Sequence, residues 1–537
     1  MNPDALVVVH DDARVVTHND AAPNNPDAAT DPDATTSPDA ATNPDAATNP
    51  DAAPVSILTA AEQAVFRAAS PLPATPPADP TNMYADNAAA AVIGQKWFFD
   101  RRFSGPVGAS GQGHITPAPT EPPAALVTAV GARGTPGLVS CGSCHAFTSN
   151  AFGDDKKTPN HVALGTGVHP RHAPPIVNSA YNEVTNWAGR FAAQWELPLP
   201  VSENPRIMNG SRIYLTQQIF KFYGVEYKAL FHEAEHGVDG GDALLAAVKL
   251  KVAAFNAAQV PVIVGDELAG GTIPRGKPKA NAMAADGLWE SLSADEKLFV
   301  NRVATNFGKA LAAYQRKLIR RDTPFDAWVA AGFVGNAVPD AAARGAKVFV
   351  EAGCDDCHKG PMLSDYGFKN TGLRQIVATD MPPTEGAGVT PPDGSDLGRF
   401  SDGDALAKAN GAAGATPGIS VNTRWSDDQA AGVALLARFA AVSPMPDTMR
   451  GAFRTPSLRQ VKETPPYMHA GQLKTLREVV DFYDRGGDVD GFLGTKNVLI
   501  VPLGLTPAEK DDLVSFLDQL TATSTIPAAL TTDTSGQ

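Results

Sequence analysis

Every cysteine in this 537-residue chain sits in one of two C-x-x-C-H pentads, Cys141-Gly-Ser-Cys144-His145 and Cys354-Asp-Asp-Cys357-His358. That spacing sets two thiols one helical turn apart with an imidazole directly behind them. It is the attachment pattern of c-type haem: the thiols add to the haem vinyl groups and the histidine reaches the iron as proximal ligand. Disulfides or a zinc site are the competing uses of four cysteines. Zinc normally draws two C-x-x-C pairs together and does not ask for a trailing histidine each time. The expectation is two covalently bound haem c groups, and a fold that wraps each of them.

The bulk composition is consistent with that. Apolar residues make up 43% of the chain, but aromatics only 7%, and 48 Gly and 45 Pro point to many loops between helices. Bound haem would supply apolar surface that the side chains lack. A formal charge of −14 argues against nucleic acid as a partner, since phosphate would be repelled. No apolar run of 18 or more residues occurs, so no membrane-spanning segment is expected. The opening residues, MNPDALVVVHDDARVV, do not read as a basic region followed by an apolar stretch, so no export signal is visible. Covalent haem nevertheless implies a periplasmic or cell-surface location, and the haem motifs carry the greater weight.

Residues 25–54 form five six-residue units, NPDAAT, DPDATT, SPDAAT, NPDAAT and NPDAAP. Proline at every sixth position blocks helix and sheet, so residues 1–56 are expected to be a disordered tether. Folded sequence should begin near Ile57. Ser293 with Glu296, Thr475 with Glu478, and Thr506 with Glu509 read as capping boxes that open helices. Phe299, Val303, Phe307, Leu311, Tyr314 and Leu318 follow the first at helical spacing, and Leu513, Phe516, Leu517 and Leu520 follow the last. Alternating strand patterns are scarce. The expected class is mainly α, with two cytochrome c-type domains at 57–330 and 331–525, one haem each, and a flexible tail at 526–537. Segments 105–137 and 375–450, rich in Gly, Pro, Ala and Asp, read as surface insertions.

Around both pentads the chain resembles the bacterial dihaem cytochrome c peroxidases and their relative MauG. Phe98-Phe99-Asp100-Arg101-Arg102-Phe103-Ser104-Gly105 is similar to the family's approach to the first haem. Arg171-His172-Ala173-Pro174, Val177-Asn178 and Trp187-Ala188-Gly189-Arg190 follow in the family's order, and Tyr314 to Asp326 resembles the end of its first domain. In the second half the likeness lies in Cys357-His358-Lys359-Gly360-Pro361, Phe453-Arg454-Thr455-Pro456-Ser457-Leu458-Arg459 and Thr464-Pro465-Pro466-Tyr467-Met468-His469-Ala470-Gly471.

The resemblance implies that the haem on His145 meets peroxide while the haem on His358 passes electrons, with Trp187 between them. A core tryptophan is the plainer reading of Trp187. The family's GHG turn is matched by Gly165-Thr166-Gly167, without the histidine, which implies an open or water-filled sixth position on the first iron. His161 and His169 remain rival ligands there. The distal acid of the family falls on Ile207, and Glu203 is the nearest substitute for the proton shuttle. For the second iron, the resemblance implies Tyr483 as axial ligand, with Met468 as the competitor. Leu476, Val479, Val480 and Tyr483 share one helix face, so on periodicity alone Tyr483 would be core. The family's calcium would take the carbonyls of Thr464 and Pro466, but its asparagine is replaced by His172, a poor partner for a hard cation. His232-Glu233-Ala234-Glu235-His236 satisfies HExxH, a weak pattern without a visible third ligand.

The function implied is a dihaem c-type oxidoreductase that reduces hydrogen peroxide at the N-terminal haem with electrons passed from the C-terminal haem. Its electron source would be a small redox protein (cytochrome c or cupredoxin) or an aromatic side chain on a protein substrate. The alternative is a dihaem electron-transfer cytochrome without peroxide chemistry.

Overall fold

A 22-residue helix, Ala294–Gln315, organises the first half of the molecule. Its start is the capping box read from the sequence: Ser293 N–H donates to Glu296 Oε2 at 2.6 Å and Glu296 N–H to Ser293 Oγ at 3.2 Å. Phe299, Val303, Phe307, Leu311 and Tyr314 are all buried, and so are Arg302, Thr305, Asn306 and Lys309 on other faces. The helix is therefore enclosed on nearly every side, beyond what one apolar stripe requires. Two glycines allow its neighbours to approach. A Cβ on Gly94 of the Ala88–Phe99 helix would lie 2.0 Å from Ala310 O, and one on Gly308 would lie 2.1 Å from Trp195 O.

The computed structural model describes residues 55–107, 135–146, 171–204, 207–231, 241–258, 287–375, 396–411, 418–439 and 443–537, with a few short pieces between them. The repeat tether, His161 and the HExxH pentad lie outside the described residues. The fold is mainly α. Among the described residues the only paired strands are Phe368–Lys369 and Phe453–Arg454, two residues each, antiparallel, with Phe368 opposite Arg454. No described helix is long and apolar enough to cross a membrane.

Two main cores hold the two pentads. The first gathers Trp97, Phe98, Phe103, Ile213, Phe231, Phe299, Phe307 and Tyr314. The second gathers Phe66, Phe325, Phe349, Leu513 and Phe516 around the crossed helices Asp340–Glu351 and Pro507–Asp518. There Gly345 brings the backbones together, since its Cβ would fall 1.9 Å from Asp512 O.

The expected boundaries at 57, 331 and 526 divide the chain where the cores do not. The helix Ala60–Ala69 belongs to the second core, through Leu58, Phe66 and Ala69. The expected tail instead returns to the first core: Ile526 is buried there, Gln95 donates to Ala529 O and Thr532 O at 2.7 and 3.0 Å, and Gln537 donates to Asp100 Oδ1 at 2.8 Å. Each lobe thus borrows a chain end from the other, and Pro54–Gln537 cohere as one unit. Segment 375–450 also departs from a surface insertion. Leu397, Arg399, Asp402, Leu406, Val421, Trp425 and Phe439 within it are buried. At Thr475 the capping box is half formed: the Thr475 hydroxyl accepts from Glu478 N–H at 3.1 Å, but the Glu478 carboxylate takes Lys474 N–H.

Candidate dihaem site

The first pentad is a single helical turn, Cys141–Cys144, closed by His145 N–H donating to Cys141 O at 2.9 Å. Gly142 lets the turn press on the end of the Ala88–Phe99 helix, where an added Cβ would sit 3.1 Å from the Phe99 ring. Phe98 lies between the His145 and Tyr314 rings, at centroid distances of 6.4 and 5.2 Å. Cys144 Sγ points to Leu164 O at 3.7 Å, and burial pushes the Cys141 thiol up to about 12.

The second pentad uses a tighter turn, Cys354–Asp356, entered through Gly353 at φ +71° and closed by His358 N–H to Cys354 O at 2.9 Å. His358 Nδ1–H donates to Leu363 O at 2.9 Å, which fixes the ring with Nε2 as the nitrogen that could bind a metal. Burial holds this imidazole below its ordinary value, so it is neutral, the form that binds iron. Burial also raises the Cys354 thiol to about 12, with the acidic groups beside it adding, and shifts Cys357 upward.

None of the four cysteines is disulfide-bonded, and among the described residues no group of three or more His, Cys, Asp or Glu side chains could hold a metal ion. Two pairs of thiols one turn apart, each pair followed by an imidazole, fit the requirements of two c-type haems.

Tyr483 lies on the Leu476–Asp484 helix. Burial raises its phenol, and the thiols of Cys357 and Cys354 add to the shift, which puts the ring within the electrostatic reach of the second pentad. Met468, at φ +72°, gives its carbonyl to Gly471 N–H at 3.2 Å. His169 is half-buried, and Arg171 N–H donates to its Nδ1 at 3.2 Å. Thr464 and Pro466 share a turn, and close by in sequence His469 O accepts from His172 N–H at 2.8 Å.

Trp187 sits where the lobes join. Its indole Nε1–H donates to His172 O at 2.7 Å, and its ring stacks near that of His172 at 6.4 Å. Arg454 N–H donates to Trp187 O at 2.8 Å. From the second half, Arg399 donates to Gly189 O at 2.6 Å and Ala188 O at 3.3 Å. The backbone around this tryptophan is therefore held by cations from across the junction.

Glu203 departs from the expected proton shuttle. Arg212 grips both carboxylate oxygens, Nε to Oε1 at 2.9 Å and Nη2 to Oε2 at 2.8 Å, with Arg212 N–H on Oε1 at 3.0 Å. A bidentate guanidinium stabilises the ionised carboxylate and opposes its acting as an acid. Its task is to pin the start of the Arg212–Phe222 helix. Ile207 O accepts from Thr166 N–H at 2.9 Å, so the glycine turn and the segment of the missing acid do meet.

Sequence reasoning missed a buried ionic cluster. Arg171 donates to both oxygens of Asp396 at 2.6 and 2.7 Å and to Asp402 at 2.6 Å. The Arg171 guanidinium holds Asp396 far below the usual carboxylate range. Beside them His469, stacked on Phe453 at 3.8 Å, is pushed down to about 4 by burial. Charged residues in a Gly/Pro-rich segment read as surface, so no local signal exposed this cluster.

Comparison with known proteins agrees with the chemistry of the pentads. Residues 132–260 match the family described as di-haem cytochrome c peroxidase. A cytochrome-c peroxidase, IdrP1, of Denitromonas iodatirespirans is 36% identical over 224 residues, 40% of this chain and 49% of that protein. The chain thus spans about half the length of that relative. The methylamine utilization protein MauG of Methylorubrum extorquens is 25% identical over 399 residues, 74% of this chain and 75% of that protein. Among solved structures, the diheme peroxidase BthA from Burkholderia thailandensis is 18% identical, with a TM-score of 0.46 over 85% of this chain and 92% of that one.

Proposed function

We propose that this chain, a member of the di-haem cytochrome c peroxidase and MauG family, reduces hydrogen peroxide, one peroxide with two protons and two electrons giving two waters. Two haem c groups, when bound, supply the redox chemistry, peroxide being met at the first pentad and electrons being relayed from the second. The chain's own work is attachment, orientation and coupling. Cys141, Cys144, Cys354 and Cys357 would carry the thioether bonds, His145 would hold the iron of the first haem, and His358 and Tyr483 would hold that of the second.

The observation that carries this reading is the Trp187 junction between the two pentad-bearing lobes. An indole whose N–H is given to a carbonyl cannot lose its proton to that partner, because a carbonyl oxygen is no base. Trp187 is thereby kept as an intact indole, suited to couple the two lobes without proton loss. The donor would be a small cytochrome or cupredoxin, or an aromatic side chain on a protein substrate. Covalent haem attachment favours a periplasmic or cell-surface site.

One observation favours the second reading, an electron carrier without peroxide chemistry: Ile207 stands at the acid position and Glu203 is committed to Arg212. Optical and EPR spectra of the ferric protein before and after peroxide separate the two. One high-spin and one low-spin signal with rapid spectral change support the peroxidase. Two low-spin signals that ignore peroxide establish the carrier.

A further inference from the structure

Seven arginines are buried among the described residues: Arg171, Arg302, Arg316, Arg320, Arg399, Arg454 and Arg459. Four of them meet a carboxylate, Arg171 with Asp396 and Asp402, Arg316 with Asp86, Arg320 with Glu463, and Arg459 with Asp326. A buried guanidinium left without an anion costs several kcal/mol, on the order of the penalty for any desolvated ion. The other three therefore need an account. Arg302 lies over the Trp425 ring at 5.0 Å, in the field of Asp427. Arg399 makes short bonds to Gly189 O and Phe439 O, at 2.6 and 2.7 Å, and feels Asp402.

Arg302 Nε has no acceptor among the described residues, whereas Arg454 has two long bonds and no carboxylate. Arg454 Nε donates to Asn186 O at 3.2 Å and Nη1 to its neighbour Thr455 O at 3.4 Å, both at the long end for such bonds. Among the described residues Nη2 meets no acceptor. The nearest group of acidic character is the Tyr366 phenol, itself kept neutral by burial, and burial lowers the guanidinium below its ordinary value.

Its position supplies the missing partner. Arg454 ends the short strand paired with Phe368–Lys369, and Lys369 lies against the Cys357 thiol. The next residues run along the second pentad: Thr455 O accepts from Ser364 Oγ at 2.7 Å, and the Pro456 backbone meets the His358 ring. We infer that Arg454 is the internal counter-ion of a propionate of the haem attached at Cys354 and Cys357. A haem brings two carboxylates into the protein, and the planar guanidinium fork matches a carboxylate in two parallel bonds. The Arg454 side chain holds Asn186 O and its backbone N–H holds Trp187 O, so the propionate is linked through one residue to the Trp187 backbone. This inference rests on the dihaem reading.

The test uses the haem-loaded full chain with Arg454→Met, Arg454→Lys and, as a control, Arg344→Lys at an exposed ion pair. Intact mass establishes first that each protein carries two haems. Resonance Raman then reads the propionate bending band, and a redox titration reads the midpoint of the low-spin haem. Arg454→Met shifts the band and lowers the midpoint, since losing a nearby cation stabilises ferric iron. Arg454→Lys keeps most of the midpoint but still shifts the band, because an ammonium cannot form the paired bonds. Arg344→Lys leaves both unchanged. Wild-type values of band and midpoint in Arg454→Met, with two haems present, overturn the inference. A wild-type chain without two haems overturns the dihaem reading itself.

Discussion

Arg171 offers the sharpest test of how the lobes are joined. It makes three charge-assisted bonds to Asp396 and Asp402, and the three side chains are 6%, 9% and 5% exposed. Solvent screening is therefore weak, and the pair does not fall under the small values of surface ion pairs. Replacing Arg171 with Met removes the cation's own desolvation cost but leaves buried Asp396 with only the Gly398 N–H and Asp402 with only the more distant Arg190 and Arg399. Breaking a buried pair from one side costs about 3–5 kcal/mol. The expected loss in urea unfolding of the haem-loaded protein is of that size, and raised salt does not recover it.

The pH dependence follows from the same cluster. In the wild type the Asp396 carboxyl is depressed in the folded state. Its stabilisation is present above the unfolded value of about 3.9 and is lost as pH falls through the folded value. In Arg171→Met the unpaired Asp396 favours protonation instead. The deficit against wild type should then shrink as pH falls from neutrality toward 4. Adding Asp396→Asn and Asp402→Asn removes the stranded charges and restores most of the loss at pH 7. A deficit below about 1 kcal/mol that is flat with pH would refute the reasoning, since it would mean that the cluster is open to water.

Four further outcomes are expected. Tyr483→Phe changes only the low-spin EPR signal; an unaltered signal eliminates Tyr483 as ligand. Gly308→Ala forces a Cβ to within 2.1 Å of Trp195 O and should destabilise the first lobe by about 1–3 kcal/mol in urea, with both haems still attached. Glu203→Gln breaks the grip of Arg212 and should cost about 1–3 kcal/mol of stability while leaving the rate of the peroxide-induced spectral change within twofold of wild type; a loss of a hundredfold or more would restore Glu203 as the proton shuttle. Glu196 is raised to about 7 by burial, with only neutral donors around it at Ala193, Ser420 and Val421. Its raised folded value means that stability declines as pH rises from about 4.5 to about 7. Glu196→Gln flattens that slope, measured as urea midpoints across the range, and an identical slope would exclude Glu196 as its source.

The haem chemistry was legible because it depends on local geometry. A C-x-x-C-H pentad works within five consecutive residues, so its meaning does not wait for the rest of the chain to fold. Helix starts at Ser293 and Thr506 were legible for the same reason, since a cap is satisfied three residues away. Where a second partner competes, local reading falters. Glu478 was expected to close on Thr475 and takes Lys474 N–H instead.

Long-range pairing was out of reach of the sequence. Arg171 finds Asp396, Ala60–Ala69 joins the second core, and Gln537 returns to Asp100, all across hundreds of residues. Charge and loop composition mark a residue as soluble in water, and only packing decides whether it ends buried against an opposite charge. Glu203 shows the converse: its proximity to the missing acid suggested a proton shuttle, and the approach of Arg212 took its carboxylate for structure. Motifs whose partners are neighbours in the chain were determined by the amino-acid order alone. The joining of the lobes, the setting of Trp187 and the burial of Arg454 were decided by tertiary structure, because electrostatic partners are chosen by distance in space.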